Sequence, residues 1–151
     1  MTAGVLLVAL CCAAGACRRG PPAAAALQPG TPCSHCRMTV LDQKLASQIV
    51  APGEEPRFFD DLGCLTAYLA AHPAEPGARA FVADHASGAW IDAAQAVYSR
   101  DEAIATPMNS HLVAHAGEAA RAADAAVREA RRLTPADVFG PRGVPGGDRV
   151  R

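Results

Sequence analysis

The sequence predicts an α+β fold: two related halves forming one compact domain, after a leader and a flexible tether. Two observations carry this. Short strand-like runs are followed by a helical run, and the order occurs twice. Unpatterned segments rich in Pro, Gly and Ala bracket those runs at residues 18–31 and 141–151. They leave residues 32–140, about 110 residues, as one domain with its own core.

Residues 1–17, MTAGVLLVALCCAAGAC, form an uncharged stretch of apolar and small residues. The stretch is shorter than the roughly 20 apolar residues of a spanning helix and ends in small residues, the pattern of a cleaved leader. Ala14-Gly15-Ala16-Cys17 is similar to a bacterial lipobox, with alanine where leucine is usual, and places lipidation at Cys17. The expectation is a protein anchored by lipid to a cell membrane and facing the periplasm. Of the six cysteines, Cys33, Cys36 and Cys64 then remain after the lipid carrier, and three thiols cannot all pair internally. Residues 18–31, RRGPPAAAALQPGT, read as a tether with a reach of about 45–50 Å when extended.

Within the domain, Ala46–Val50 and Arg57–Asp60 read as short strands. Asp61 suits the N-cap of a helix from Leu62 to about His72, with Leu62, Leu65 and Leu69 on one face and Pro73 as its stop. Arg79–His85 follows as a strand. In the second half, Ala89–Asp92 and Val97–Ser99 are strand-like, and Ser110–Ala116 alternates. Gly117–Arg132 reads as an Ala-rich helix with Glu118, Arg121, Asp124, Arg128 and Arg132 on its polar arc, Asp124 and Arg128 forming an i,i+4 pair. Residues 141–151, PRGVPGGDRVR, read as a disordered tail. The formal net charge of −1, without a basic stripe or interleaved aromatics, gives no sign of nucleic-acid binding.

The chemistry concentrates in Cys33-Ser34-His35-Cys36-Arg37-Met38, two thiols and a thioether within one short run. Two intervening residues let both cysteine sulfurs converge around one turn, as metal sites and redox dithiols both require. The thioether favours a soft ion such as Cu(I). A redox pair and a local disulfide with Met38 in the core are the alternatives. His35, between the cysteines, reads as an exposed turn residue, with a role as copper ligand as the alternative. Thr106-Pro107-Met108-Asn109-Ser110-His111 carries the remaining internal methionine in a turn, where Met108 is either a ligand or a gap-filler of the core. In one strand, His111 and His115 face the same side about 13 Å apart and cannot chelate one ion, although one of them could complete a Cys/Met site. Cys64 falls in the first turn of the expected helix after Asp60 and Asp61 and reads as a small buried residue near Tyr68, with an activated thiolate as the alternative. No hydrolytic or oxygen-activating constellation is apparent, and no enzyme activity is expected.

The order CSHCRMTV, RFFDDLGCLTAYL, SGAWIDAAQAVY and TPMNSHLVAHAG resembles the NosL family of copper-binding lipoproteins that assist nitrous oxide reductase assembly. The resemblance spans roughly residues 31–130. It implies tandem ββαβ halves, related in fold to organomercurial lyase, and a Cu(I) chaperone. The partners it implies are a membrane copper/sulfur transporter complex for nitrous oxide reductase assembly, or the reductase itself, with the chain a monomer or weak homodimer. Cys33, Cys36 and Met38 match the family's C-x-x-C-G-M motif, and Met108 its P-M-G-S motif. Four positions depart from that pattern. Arg37 and Asn109 replace glycines, and His111 and His115 stand where a small residue and an aromatic are usual. The rival functions are a thiol–disulfide oxidoreductase, an organomercurial-lyase-like enzyme using Cys33, Cys36 or Cys64 with Asp60, and a general copper-resistance scavenger.

Overall fold

A computed structural model describes residues 20–146; the expected leader, Cys17 and residues 147–151 lie outside that range. The first half runs β1 (Ser47–Val50), β2 (Arg57–Phe59), α1 (Leu62–Ala71) and β3 (Arg79–Ala83). β4 (Trp90–Asp92) adds to β3 and completes an antiparallel sheet in the order β2-β1-β3-β4. The second half runs β5 (Val97–Arg100), β6 (Leu112–His115), α2 (Glu118–Ala123) and β7 (Arg131–Leu133), with antiparallel sheet order β6-β5-β7. In each half the first strand lies between the other two, so the ββαβ units share one topology. α3 (Pro135–Phe139) follows, opened by a Thr134/Asp137 capping box.

The strand that closes the second half corrects the reading of Gly117–Arg132 as one helix. α2 stops at Ala123, a 3₁₀ turn covers Ala125–Val127, and β7 pairs with β5 through Tyr98–Leu133 and Ser99–Arg132. Alanine favours helix by only tenths of a kcal/mol per residue. Pairing the open edge of β5 and burying Leu133 outweigh that preference. The expected polar arc is dispersed: Arg121 donates to Ser99 Oγ and to the Ala130 carbonyl, and Arg132 pairs with Glu118. Asp124 faces two histidines instead of Arg128.

The core lies between α1 and the sheets, with Phe59, Leu65, Val82 and Tyr98 fully buried. The Tyr98 hydroxyl donates to the Ala93 carbonyl at 2.7 Å, which satisfies its one polar group. β1 is central, so Gln48 is buried with it. Its side-chain amide accepts from Ala25 N–H at 2.8 Å and donates to the Ala25 carbonyl at 3.0 Å. Leu27 packs on the same core, so part of the segment read as tether lies against the domain. At the other end, Ala80 N–H donates to the Pro145 carbonyl and Val144 packs on the core, so this stretch of the segment read as tail is ordered. The two sheets meet where Asp84 bridges Ala114 in parallel, with His85 N–H donating to the Ala114 carbonyl at 2.8 Å. Among the described residues no helix is long and apolar enough to cross a membrane.

Candidate metal centre

The Cys33–Met38 run is the tip of a short hairpin. Cys33 N–H donates to the Met38 carbonyl at 2.7 Å, Arg37 N–H to the Cys33 carbonyl at 3.1 Å, and Pro32 bridges Thr39. Ser34 N–H donates to the Phe58 carbonyl at 2.7 Å, which fixes the tip against β2. Arg37 closes the turn at φ 70°, the left-handed region that glycine enters freely. The arginine therefore keeps the turn of the glycine motif, at a cost of about 1–2 kcal/mol in backbone sterics.

β2 leads directly into Asp60 and Asp61, and α1 begins at Leu62. Asp61 Oδ1 caps the helix by accepting from Gly63 N–H at 2.6 Å, as the sequence predicts. One helical turn on, Cys64 points back to the hairpin. Sulfur or carboxylate atoms of Cys33, Cys36, Asp60 and Cys64 all lie within 4.8 Å of one another. Cys33, Cys64 and Asp60 are buried, and Cys36 is partly open to solvent. The Cys36 thiol donates to Asp60 at 3.4 Å. Burial raises the Cys36 thiol above its ordinary value, and the hydrogen bond to Asp60 adds to this. Burial also drives Cys64 strongly upward, with Asp60 and Cys33 adding to it. The centre therefore brings three free cysteines together beside one carboxylate.

Met108 reaches the same helix N-terminus from the other half. Its N–H donates to Asp61 Oδ2 at 2.8 Å, one residue from Asp60. The approach is close: a Cβ on Gly63 would lie 2.9 Å from Ser110 Cβ. Asn109 forms the tip of this turn at φ 54°, which asparagine tolerates. Asp61 is fully buried, and burial alone would raise its carboxyl. Hydrogen bonds from Ser110, Thr106 and the amides of Met108 and Gly63 outweigh burial and hold it below the ordinary range. Both methionines are exposed for large apolar residues, Met38 by 52% and Met108 by 45%. The thiols thus sit at depth, while the thioethers stand on exposed turns braced to the same strand–helix junction.

The other expected residues divide. His35 is exposed on the hairpin and takes no part in the cluster of sulfurs. His111 precedes β6 at φ 58°, and its Nδ1 is hydrogen-bonded to the Ile104 carbonyl at 2.8 Å, so it braces the Met108 turn. Cys64 belongs to the cluster, whereas the sequence reading placed it apart. The signal was present, because Asp60 and Cys64 are one helical turn apart beside an aromatic strand. Only the docking of the hairpin on β2 brings Cys33 and Cys36 to them. A second cluster, His85, His115 and Asp124, has no motif in the sequence to announce it.

A tandem ββαβ domain with buried thiols at a strand–helix junction defines a small α+β protein carrying a soft-metal or dithiol centre. Within that class the chain belongs to the NosL family, whose profile matches residues 24–132. The crystal structure of the copper chaperone NosL from Shewanella denitrificans is similar in fold. It superposes with a TM-score of 0.61 at 14% identity, over 76% of this chain and 94% of that one. No curated protein sequence matches the chain.

Proposed function

We propose that this chain is a membrane-anchored periplasmic copper chaperone that binds Cu(I) as cargo and delivers it for nitrous oxide reductase maturation. The observation that carries the reading is the cluster of Cys33, Cys36, Cys64 and Asp60 under two exposed methionine turns, in a chain of the NosL family. Thiolates are the strongest soft donors a protein offers, and thioethers are weak, exchangeable ones suited to Cu(I). In this reading the ion is held by Cys33 and Cys36, with Cys64 within reach, and Met38 and Met108 form the outer contacts through which it enters and leaves. Binding releases thiol protons, and Asp60, which accepts a hydrogen bond from Cys36, lies against the thiol that gives one up. The graded depth supports transfer by stepwise ligand exchange: a recipient's sulfur displaces an exposed thioether before it competes for a thiolate. Delivery to a membrane transporter complex or to the reductase, and anchoring through Cys17, are part of the same proposal, supported by the NosL membership and the lipobox-like Ala14-Gly15-Ala16-Cys17.

The oxidoreductase reading is less well supported. An active redox thiol has its pKa lowered so that it ionises readily, whereas burial raises the thiol pKa of Cys36 and Cys64.

An anaerobic Cu(I) titration of the reduced chain, competed against a Cu(I) chelator, tests the proposal. One tight equivalent, weakened by Met38→Ala, is the expected outcome. Absence of tight binding by fully reduced protein ends the copper reading. Co-purification with transporter subunits, or failure to do so, tests the client separately.

A further inference from the structure

We propose that His85, His115 and Asp124 form a second metal site, for a divalent first-row transition ion, sharing no residue with the thiol cluster. The three side chains come from three places in the fold. His85 follows β3, His115 ends β6, and Asp124 closes α2. His85 Nδ1 lies 2.6 Å and His115 Nε2 3.2 Å from the same atom, Asp124 Oδ2. All three candidate ligand atoms lie within 4.8 Å of one another. The imidazoles meet edge to face at 74° and do not stack, and the two facing nitrogens share Asp124 Oδ2 as partner.

Each ligand is held before any ion arrives. The backbone of His85 is fixed by its main-chain N–H donating to the Ala114 carbonyl, that of His115 by strand pairing with Val97, and the Asp124 side chain by its Oδ1, which accepts from Ala126 N–H at 2.9 Å. Pre-organisation of this kind is what a chelating site needs. His115 is completely buried and its Nδ1 has no hydrogen-bond partner. His85 retains 20% side-chain exposure and opens the cluster to solvent.

Charge also favours a cation. Asp84 is buried close by, and its carboxylate is held by Ser87 and the Ala116 amide. The site thus brings two imidazoles and one carboxylate ligand, with a second carboxylate behind them. Two imidazoles and a carboxylate suit Zn(II), Cu(II) and Ni(II), with Cu(II) bound most tightly in the Irving–Williams order. Cu(I), which prefers sulfur, is drawn to the other centre, so the two sites sort ions by ligand softness.

The test is ¹⁵N imidazole NMR and thermal melting of the full chain with Zn(II), added to two equivalents so that the thiols are also filled. His85 Nδ1 and His115 Nε2 should shift together into the metal-bound range, and the melting midpoint should rise. Cys36→Ser should leave both histidine shifts in place. His85→Asn, at the partly exposed position, should remove the His115 shift and weaken this binding by more than about a hundredfold. Asp124→Asn, which keeps the cap to Ala126, should do the same, and the metal-free melts of both variants report whether they fold. Histidine resonances unmoved at two equivalents, or a His115 shift that survives His85→Asn in folded protein, overturn the proposal.

Discussion

The thiol cluster and the histidine cluster occupy opposite ends of the relation between sequence and space. Cys33 and Cys36 belong to one hairpin tip, and Asp60 and Cys64 to one strand–helix junction, so two local motifs make the first site. His85, His115 and Asp124 share no motif and meet only because Asp84 bridges Ala114 and α2 ends early. Soft donors were therefore visible in the sequence as spacing. The borderline donors became a site only through strand pairing.

The sharpest way to break that comparison is to remove one ligand from each side. Cys36→Ser should lower Cu(I) affinity by about a thousandfold or more, because loss of a thiolate removes the principal soft donor. His85→Asn should leave Cu(I) affinity unchanged in the same chelator competition. If His85→Asn were the more damaging, the division of labour between the clusters would be wrong.

Packing gives the next largest effect. Leu65 is fully buried beneath the thiol site, and Leu65→Ala should cost about 3 kcal/mol in denaturant unfolding. Leu41, 89% exposed, should tolerate alanine within about 0.5 kcal/mol. Equal losses at the two positions would contradict the assignment of the core.

Acid should then loosen both regions. Asp61 and Asp84 are held below the ordinary carboxylate range, and Asp124 is held down at about 2. In all three, burial acts upward, and hydrogen bonds to the charged form outweigh it. A carboxyl with a depressed folded pKa stabilises fully above its unfolded value of about 4, and that stability is lost as pH falls toward 2. Unfolding free energy should therefore be flat from pH 6 to 5 and fall steeply below about 4. Asp84→Asn should flatten the fall, and a variant as acid-labile as wild type would remove Asp84 from the account.

Two smaller effects sharpen the picture of the rim. Met38→Ala should weaken Cu(I) by about tenfold with no change in melting point, since a thioether is a weak donor and the side chain is exposed. Arg37→Gly should raise stability by up to about 1 kcal/mol by relieving the positive φ, less the entropy that glycine adds to the unfolded chain. A loss of stability on Arg37→Gly would mean that the arginine side chain contributes more than its backbone strain removes.

The chain by itself determined the elements whose cause is local. β1, β2 and β3 follow from short apolar runs, α1 from the Asp61 cap and Pro73, and the hairpin tip from the spacing of Cys33, Cys36 and Met38. The tandem α+β plan was legible for the same reason. Tertiary structure decided the rest. It ended α2 at Ala123 because the edge of β5 needed a partner more than alanine needed a helix. It also turned Asp124 from a surface pair with Arg128 into the meeting point of two histidines. It carried Cys64 into the thiol cluster by docking the hairpin on β2. Helical and strand periodicities encode which face a residue takes, but not which distant face it meets. That second choice is made by edge pairing and burial, and in this protein it is what assembles both clusters.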